Sequence, residues 1–244
     1  MNLTTIKWDR DGYQAFLEEL AGLGNPQSVP RMAKIVPTER PILGIPMKTL
    51  RELGKAISQG TATDFLQVAG TEYYEVIIIQ GYVISNLPLT CSELAIHCEH
   101  YISLADNWAV CDMVIHFKQV RAFREKFLAV ITRYLKSTNP WQQRVGLVFL
   151  LKFYLTPEMI ATALQLASGV TSNHYYVQMG QAWLLAAAFS KQPAEIYELL
   201  RTGVSLAVVQ RTVAKIKSLT HTTPAEKAEL TAILKERRRM DKGR

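Results

Sequence analysis

Apolar positions recur along this chain with the spacing of helices buried on one face, and seldom with the strict alternation of strands. Tyr13, Phe16, Leu17 and Leu20 set the pattern in a first helix over 11–23, which Gly24-Asn25-Pro26 ends. The next stretch resists helix. Pro30, Pro37, Pro41 and Pro46 punctuate SVPRMAKIVPTERPILGIP, and proline inside a helix removes a donor and clashes with the preceding turn. A turn or two around 31–35 is all that can be helical there, so 35–46 reads as a proline-rich loop. Pro46 suits the entry to a helix over 47–58, where its missing N–H costs nothing. Beyond it the pattern predicts helices over 61–68, 72–84, 92–103, 108–117, 120–136, 141–154, 157–168, 175–190, 193–202, 206–220 and 224–239. Asn107, Asn139 or Ser137, Thr156, Asn173 and Thr223 stand before these starts as caps. The run Val76-Ile77-Ile78-Ile79 has strand propensity. It falls in register with three helical counterparts and is therefore assigned to a buried helix.

That register is set by aromatic residues. Tyr74, Trp108, Trp141 and Tyr175 are separated by 34, 33 and 34 residues, and each opens an apolar helical stretch. A fixed period in this range is the signature of stacked supersecondary units, each burying its face only against its neighbours. The expected architecture is all-α, a HEAT-like helical-repeat solenoid forming a single curved domain over 1–244. Equivalent positions of successive repeats line one surface, so Trp108, Asp112, Arg144 and Trp183 are expected to face a common groove.

Composition narrows the class. The chain is 48% hydrophobic and 20% charged, as in packed globular proteins. It holds no apolar run long enough to span a membrane, and its start, MNLTTIKWDRDGYQAF, lacks the apolar core of a secretory signal. Cytoplasmic residence and a monomer are the expectations. Three cysteines with no C-x-x-C pair agree with a reducing compartment. His97-Cys98-Glu99-His100 places two histidines on one helix face, but no four-ligand set is legible, so neither a metal nor a cofactor is expected. The net charge of +7 is concentrated at the end, where a basic tail over 237–244 closes the chain. It permits a nucleic-acid partner without demanding one.

Candidate chemistry centres on DNWAVCD. With Asn107 as the cap, Trp108 and Asp112 lie four apart on one helix face. Packing alone accounts for such a pair if Trp108 anchors its repeat and Asp112 meets a cation such as Arg144. The alternative is a site. DNWAVCD, NPWQQRVGLVF and YYVQMGQAWLL follow ILGIPMKTLRELGKAI and precede VVQRTVAKIKSL. In this order, over nearly the whole chain, they resemble the bacterial DNA alkylation repair enzymes of the HEAT-like-repeat glycosylase family.

The resemblance implies excision of cationic N3- and N7-alkylpurines from duplex DNA, without a cofactor. Carried over residue by residue, Trp108, Asp112 and Arg144 are the catalytic trio and Trp183 is a second aromatic against the lesion. It also implies two departures. The proline-rich loop 35–46 stands where the family carries a DNA-contacting helix, and Gln178-Met179 stands where it carries a basic pair. Three readings stay open: a glycosylase, a non-catalytic paralogue with weak or altered DNA binding, and a helical-repeat scaffold for protein partners.

Overall fold

A computed structural model describes residues 2–242. Among the described residues there are fourteen α-helices and no strand, so the all-helical expectation holds. The chain divides after Phe127 into two compact units.

The first unit holds α1 (Arg10–Gly22), α2 (Val29–Ile35), α3 (Met47–Ser58), α4 (Ala62–Val68), α5 (Tyr74–Asn86), α6 (Cys91–Ser103) and α7 (Trp108–Asp112). Helix α5 is its centre. Every residue from Tyr74 to Ile84 is buried, which explains how four consecutive β-branched residues sit in a helix. An element apolar all round is stabilised by packing on every side, and that outweighs a modest loss of helix propensity. Helix α3 lies so close that a Cβ on Gly54 would stand 2.4 Å from Tyr82 Cβ. At the other end of the unit Trp8, Phe16 and Phe65 meet edge to face, joining the first residues to α1 and α4.

Two polar side chains are buried within α5, and both are used. Gln80 donates to the Gly70 carbonyl at 2.9 Å. The Glu75 carboxylate, fully buried, accepts from Leu43 N at 3.0 Å, Gly44 N at 2.8 Å and Ile45 N at 3.4 Å. Three successive amides converge on one anion because Gly44 adopts φ +80°, a conformation that glycine enters without steric penalty. Tyr74 N donates to Pro41 O at 3.0 Å and Asn25 N to Leu43 O at 2.8 Å. The proline-rich passage has no helix over 36–46, yet its backbone is tied down at both sides.

The predicted helix over 108–117 resolves differently. The stretch from Trp108 to Phe117 makes a single α turn and then continues as 3₁₀ turns over Met113–His116 and Lys118–Ala122, before α8 (Arg124–Leu135). Cys111, Val114, Phe117 and Val120 are all buried. Their strict spacing of three is aligned on one face by three residues per turn and would wind around an α-helix. Gln119 in the second turn donates to the carbonyls of Ile84 and Leu87, closing the end of α5.

The second unit, from Leu128, holds α9 (Pro140–Phe153), α10 (Ile160–Ser168), α11 (Tyr175–Phe189), α12 (Pro193–Glu198), a π-helical turn over Leu199–Gly203, α13 (Leu206–Ser218) and α14 (Pro224–Lys242). Helix α11 packs on both α9 and α13. Its run AWLLAAAF is nearly all buried, with alanines where long side chains would hold neighbours apart. The basic end of the chain is the last part of α14 as far as Lys242, not a loose tail; positions 243 and 244 lie outside the described residues. Arg237 turns inward and donates to the carbonyls of Leu200, Arg201 and Val204.

The aromatic period proves to mark helix starts. Tyr74, Trp108 and Tyr175 are first residues of their helices, and Trp141 is the second of α9. They do not share one burial. Tyr74 is in the core, Trp108 and Trp141 are half-buried, and Tyr175 is 52% exposed. Packing in the core therefore accounts for Tyr74 and not for Tyr175.

Replacing Glu75 with Ala leaves buried amides without an acceptor and is expected to cost about 3 kcal/mol, read as a lower urea midpoint. Gly54→Ala is expected to cost about 1–3 kcal/mol through overpacking against Tyr82. The exposed Gly22→Ala, which meets nothing within 4 Å, is the control and should be neutral or stabilising by up to about 1 kcal/mol. Equal losses at Gly54 and Gly22 would contradict the close α3–α5 approach.

Candidate functional site

Helix α7 is one turn long, and capping defines it. Asn107 Oδ1 accepts from Ala109 N at 2.9 Å and Val110 N at 3.1 Å, satisfying donors that a helix start leaves open. Trp108 is thereby the first residue and Asp112 the last, four apart on one face. Both are half-buried.

The proline-rich strap fastens onto this helix start. The Trp108 indole N–H donates to the Ile35 carbonyl at 2.9 Å, at the end of α2. Thr38 Oγ1 donates to Asp106 Oδ2 at 2.7 Å, and Arg40 Nη1 lies 2.6 Å from the same oxygen. Asn107 Nδ2 donates to Asp106 Oδ1 at 2.6 Å. Asp106 thus links the strap to the capping residue, and the indole of Trp108 is held by its edge. Tyr74 lies beside this network. Burial, with the charges of Glu75 and Asp106, holds its phenol well above the ordinary value.

Arg144 and Trp183 belong to the second unit. Asn139 caps α9 through a bond from Trp141 N at 2.9 Å, and Arg144 follows one turn later, 5% exposed. Its Nη1 donates to the Tyr176 carbonyl at 2.7 Å, so the guanidinium is fixed at the start of α11. Trp141, His174 and Tyr176 meet there as rings 5.1–6.0 Å apart. Gln178 is buried and donates to Ser172 O at 2.9 Å, bracing the loop that leads into α11. Trp183, further along α11, lines a cleft with Ala186, Ala187, Lys215, Leu219 and His221. Arg144 does not line that cleft.

Trp108 and Asp112 thus share one turn of α7 in the first unit, while Arg144 on α9 and Trp183 on α11 belong to the second. Sequence reasoning missed Thr38, Arg40, Asp106 and Glu75. The only signal was for Glu75, in the glycine of LGI, whose left-handed turn creates an anion-binding concavity; nothing in the sequence says which carboxylate fills it, and Thr38, Arg40 and Asp106 carried no signal. No group of three or more metal-capable side chains exists among the described residues, and no described helix is long and apolar enough to cross a membrane.

His174 reports on Arg144. Burial and then the Arg144 charge lower its pKa from 6.5, so the folded protein binds the proton less readily than the unfolded chain. The contribution is absent well above pH 6.5, and stability falls as pH drops from there through the lower folded value. The His174 imidazole should titrate below 6.5 by NMR, and Arg144→Gln should bring its midpoint part of the way back. A midpoint above 6.5 would refute this environment.

Compared with known families, residues 16–231 match the DNA alkylation repair enzyme family. No curated protein matches the chain. The matched span contains Trp108, Asp112, Arg144 and Trp183, together with the strap and the α5 core. With this match over most of its length and an all-helical fold, the chain belongs to the DNA alkylation repair enzyme family.

Proposed function

We propose that this protein is a DNA glycosylase that removes cationic N3- and N7-alkylpurines from duplex DNA, with Asp112 as the catalytic carboxylate. The observation that carries this reading is the capped turn of α7. It presents an indole and a carboxylate four residues apart on one face, both half-buried, in a chain of the alkylation repair family. Alkylation gives the base a formal positive charge, so it leaves as a neutral molecule when the bond from C1′ to nitrogen breaks with its electron pair. The sugar is left oxocarbenium-like, and a nearby carboxylate stabilises that charge and orients the attacking water. Water adds at C1′ and loses a proton, giving an abasic site and the free base.

The indole face of Trp108 attracts the cationic base, and the bond from its edge to Ile35 supports a fixed ring. Trp183 is assigned as a second aromatic against the lesion. Arg144 is assigned to a phosphate next to the lesion, where a planar guanidinium can bind two oxygens.

A second reading is favoured by the strap and by Gln178. The one cation of residues 36–46, Arg40, is paired with Asp106, and Gln178 is uncharged, so neither brings a free positive charge to a phosphate. Each contact absent weakens binding and flattens its salt dependence. A non-catalytic paralogue with weak DNA binding fits these features.

Release of 7-methylguanine or 3-methyladenine from alkylated duplex DNA decides between the two. The wild type should release base, and Asp112→Asn should slow release by about 10²–10³-fold while its circular dichroism stays native. A folded wild type that releases no base at saturating protein would end the glycosylase reading in favour of the paralogue.

A further inference from the structure

Helix α14 carries six cations, and they do not share one fate. Arg237 faces inward and caps the carbonyls that end the π-helical turn. Lys235, Arg238, Arg239 and Lys242 are exposed and stand at i, i+3, i+4 and i+7, one continuous helical face. That face is opposite Leu230 and Ile233, which bury the helix.

The acids of α14 are elsewhere. Glu226 forms a capping box with Thr223, and Glu229 pairs with Arg201. Glu236 and Asp241 point to the flanks by the 100° step of the helix. A fifth cation joins from α13, where Lys217 Nζ donates to Thr231 Oγ1 at 2.9 Å; Thr231 lies one turn before Lys235 on the same face. Thr231, Lys235, Arg238, Arg239 and Lys242 line a shallow groove along the helix. Among the described residues the four side chains have no ion-pair or hydrogen-bond partner.

Such an arrangement is unfavourable in isolation. Like charges four apart on a helix repel, as Lys235 with Arg239 and Arg238 with Lys242 do. The helix dipole relieves cations only in the last turn, and Lys235 lies two turns from Lys242. A polyanion resolves the repulsion. We propose that this face of α14, with Lys217, docks on the phosphate backbone of duplex DNA as a sequence-independent anchor. The proposal rests on the DNA reading above and adds a surface to it, four of whose five cations lie beyond the residues 16–231 that match the family. The stripe spans about 10 Å at 1.5 Å per residue, and duplex of that length carries about six phosphates. Over the two strands that is enough phosphate to engage all five cations.

The test is fluorescence anisotropy of the full chain on a short undamaged duplex across a salt series. The variant combines Lys235→Gln, Arg238→Gln, Arg239→Gln and Lys242→Gln and leaves Arg237 intact. The slope of log affinity against log salt should become shallower by about 3–4, close to one per contact removed. If that variant fails to fold by circular dichroism, the pair Arg238→Gln and Arg239→Gln serves, with an expected change of about two. Arg238→Lys with Arg239→Lys should keep the wild-type slope. An unchanged slope in a folded variant, or no binding by the wild type at low salt, overturns the anchor. So does loss of binding to phosphatidylserine vesicles with the DNA slope intact. Base release with an unchanged slope would sink the anchor and spare the glycosylase; stripe-dependent binding without base release would do the reverse.

Discussion

A buried carboxylate needs donors, and in the first unit that need organises everything around it. Glu75 sits within a helix apolar on all sides, where an unpartnered charge would cost several kcal/mol or more. Its donors come from the backbone of Leu43, Gly44 and Ile45, thirty or more residues earlier in the chain. Those amides converge only because Gly44 takes a left-handed conformation. Helix α5 therefore holds the strap in place, and a segment with three prolines and no ladder of its own acquires a defined path.

That path reaches the candidate site. The strap runs from the end of α2 past Thr38 and Arg40 to the amides that bind Glu75. Along the way it takes the Trp108 indole N–H at Ile35 and the Asp106 carboxylate at Thr38 and Arg40. Packing in the α5 core is thus coupled through hydrogen bonds to the orientation of the ring in α7. Beside Trp108 the strap therefore forms a wall held by side-chain and carbonyl bonds. The wall is firm, but it carries few cations. The exposed stripe on α14 supplies the opposite quality, positive charge without a pocket.

Much of the helical plan was legible. The span 47–58 was read to the residue, and Asn107, Asn139 and Thr223 cap as their side chains require, because capping is local chemistry. Asn173 does not cap; His174 holds that position at α11. The break at Met113 was not read, since a spacing of three among Cys111, Val114, Phe117 and Val120 only distinguishes 3₁₀ from α once the buried side is known. Trp108 and Asp112 could be paired in advance because residues four apart on one helix share a face. Asp106, Arg40 and Thr38 could not, because nothing local joins position 106 to position 38.

By itself the sequence determined what depends on neighbours within one or two turns: helix content, most starts and stops, the aromatic period at helix starts, and a proline-rich stretch that cannot be helical. Tertiary structure decided what depends on residues far apart. It sent Glu75 to the amides of the strap and the Trp108 edge to Ile35. It also buried Tyr74 while leaving its periodic counterpart Tyr175 exposed, and turned Arg237 inward while its neighbours Arg238 and Arg239 face solvent. The reason is physical. Periodicity specifies which positions share a face, but only the packed neighbour specifies whether that face meets a core, a carbonyl or water.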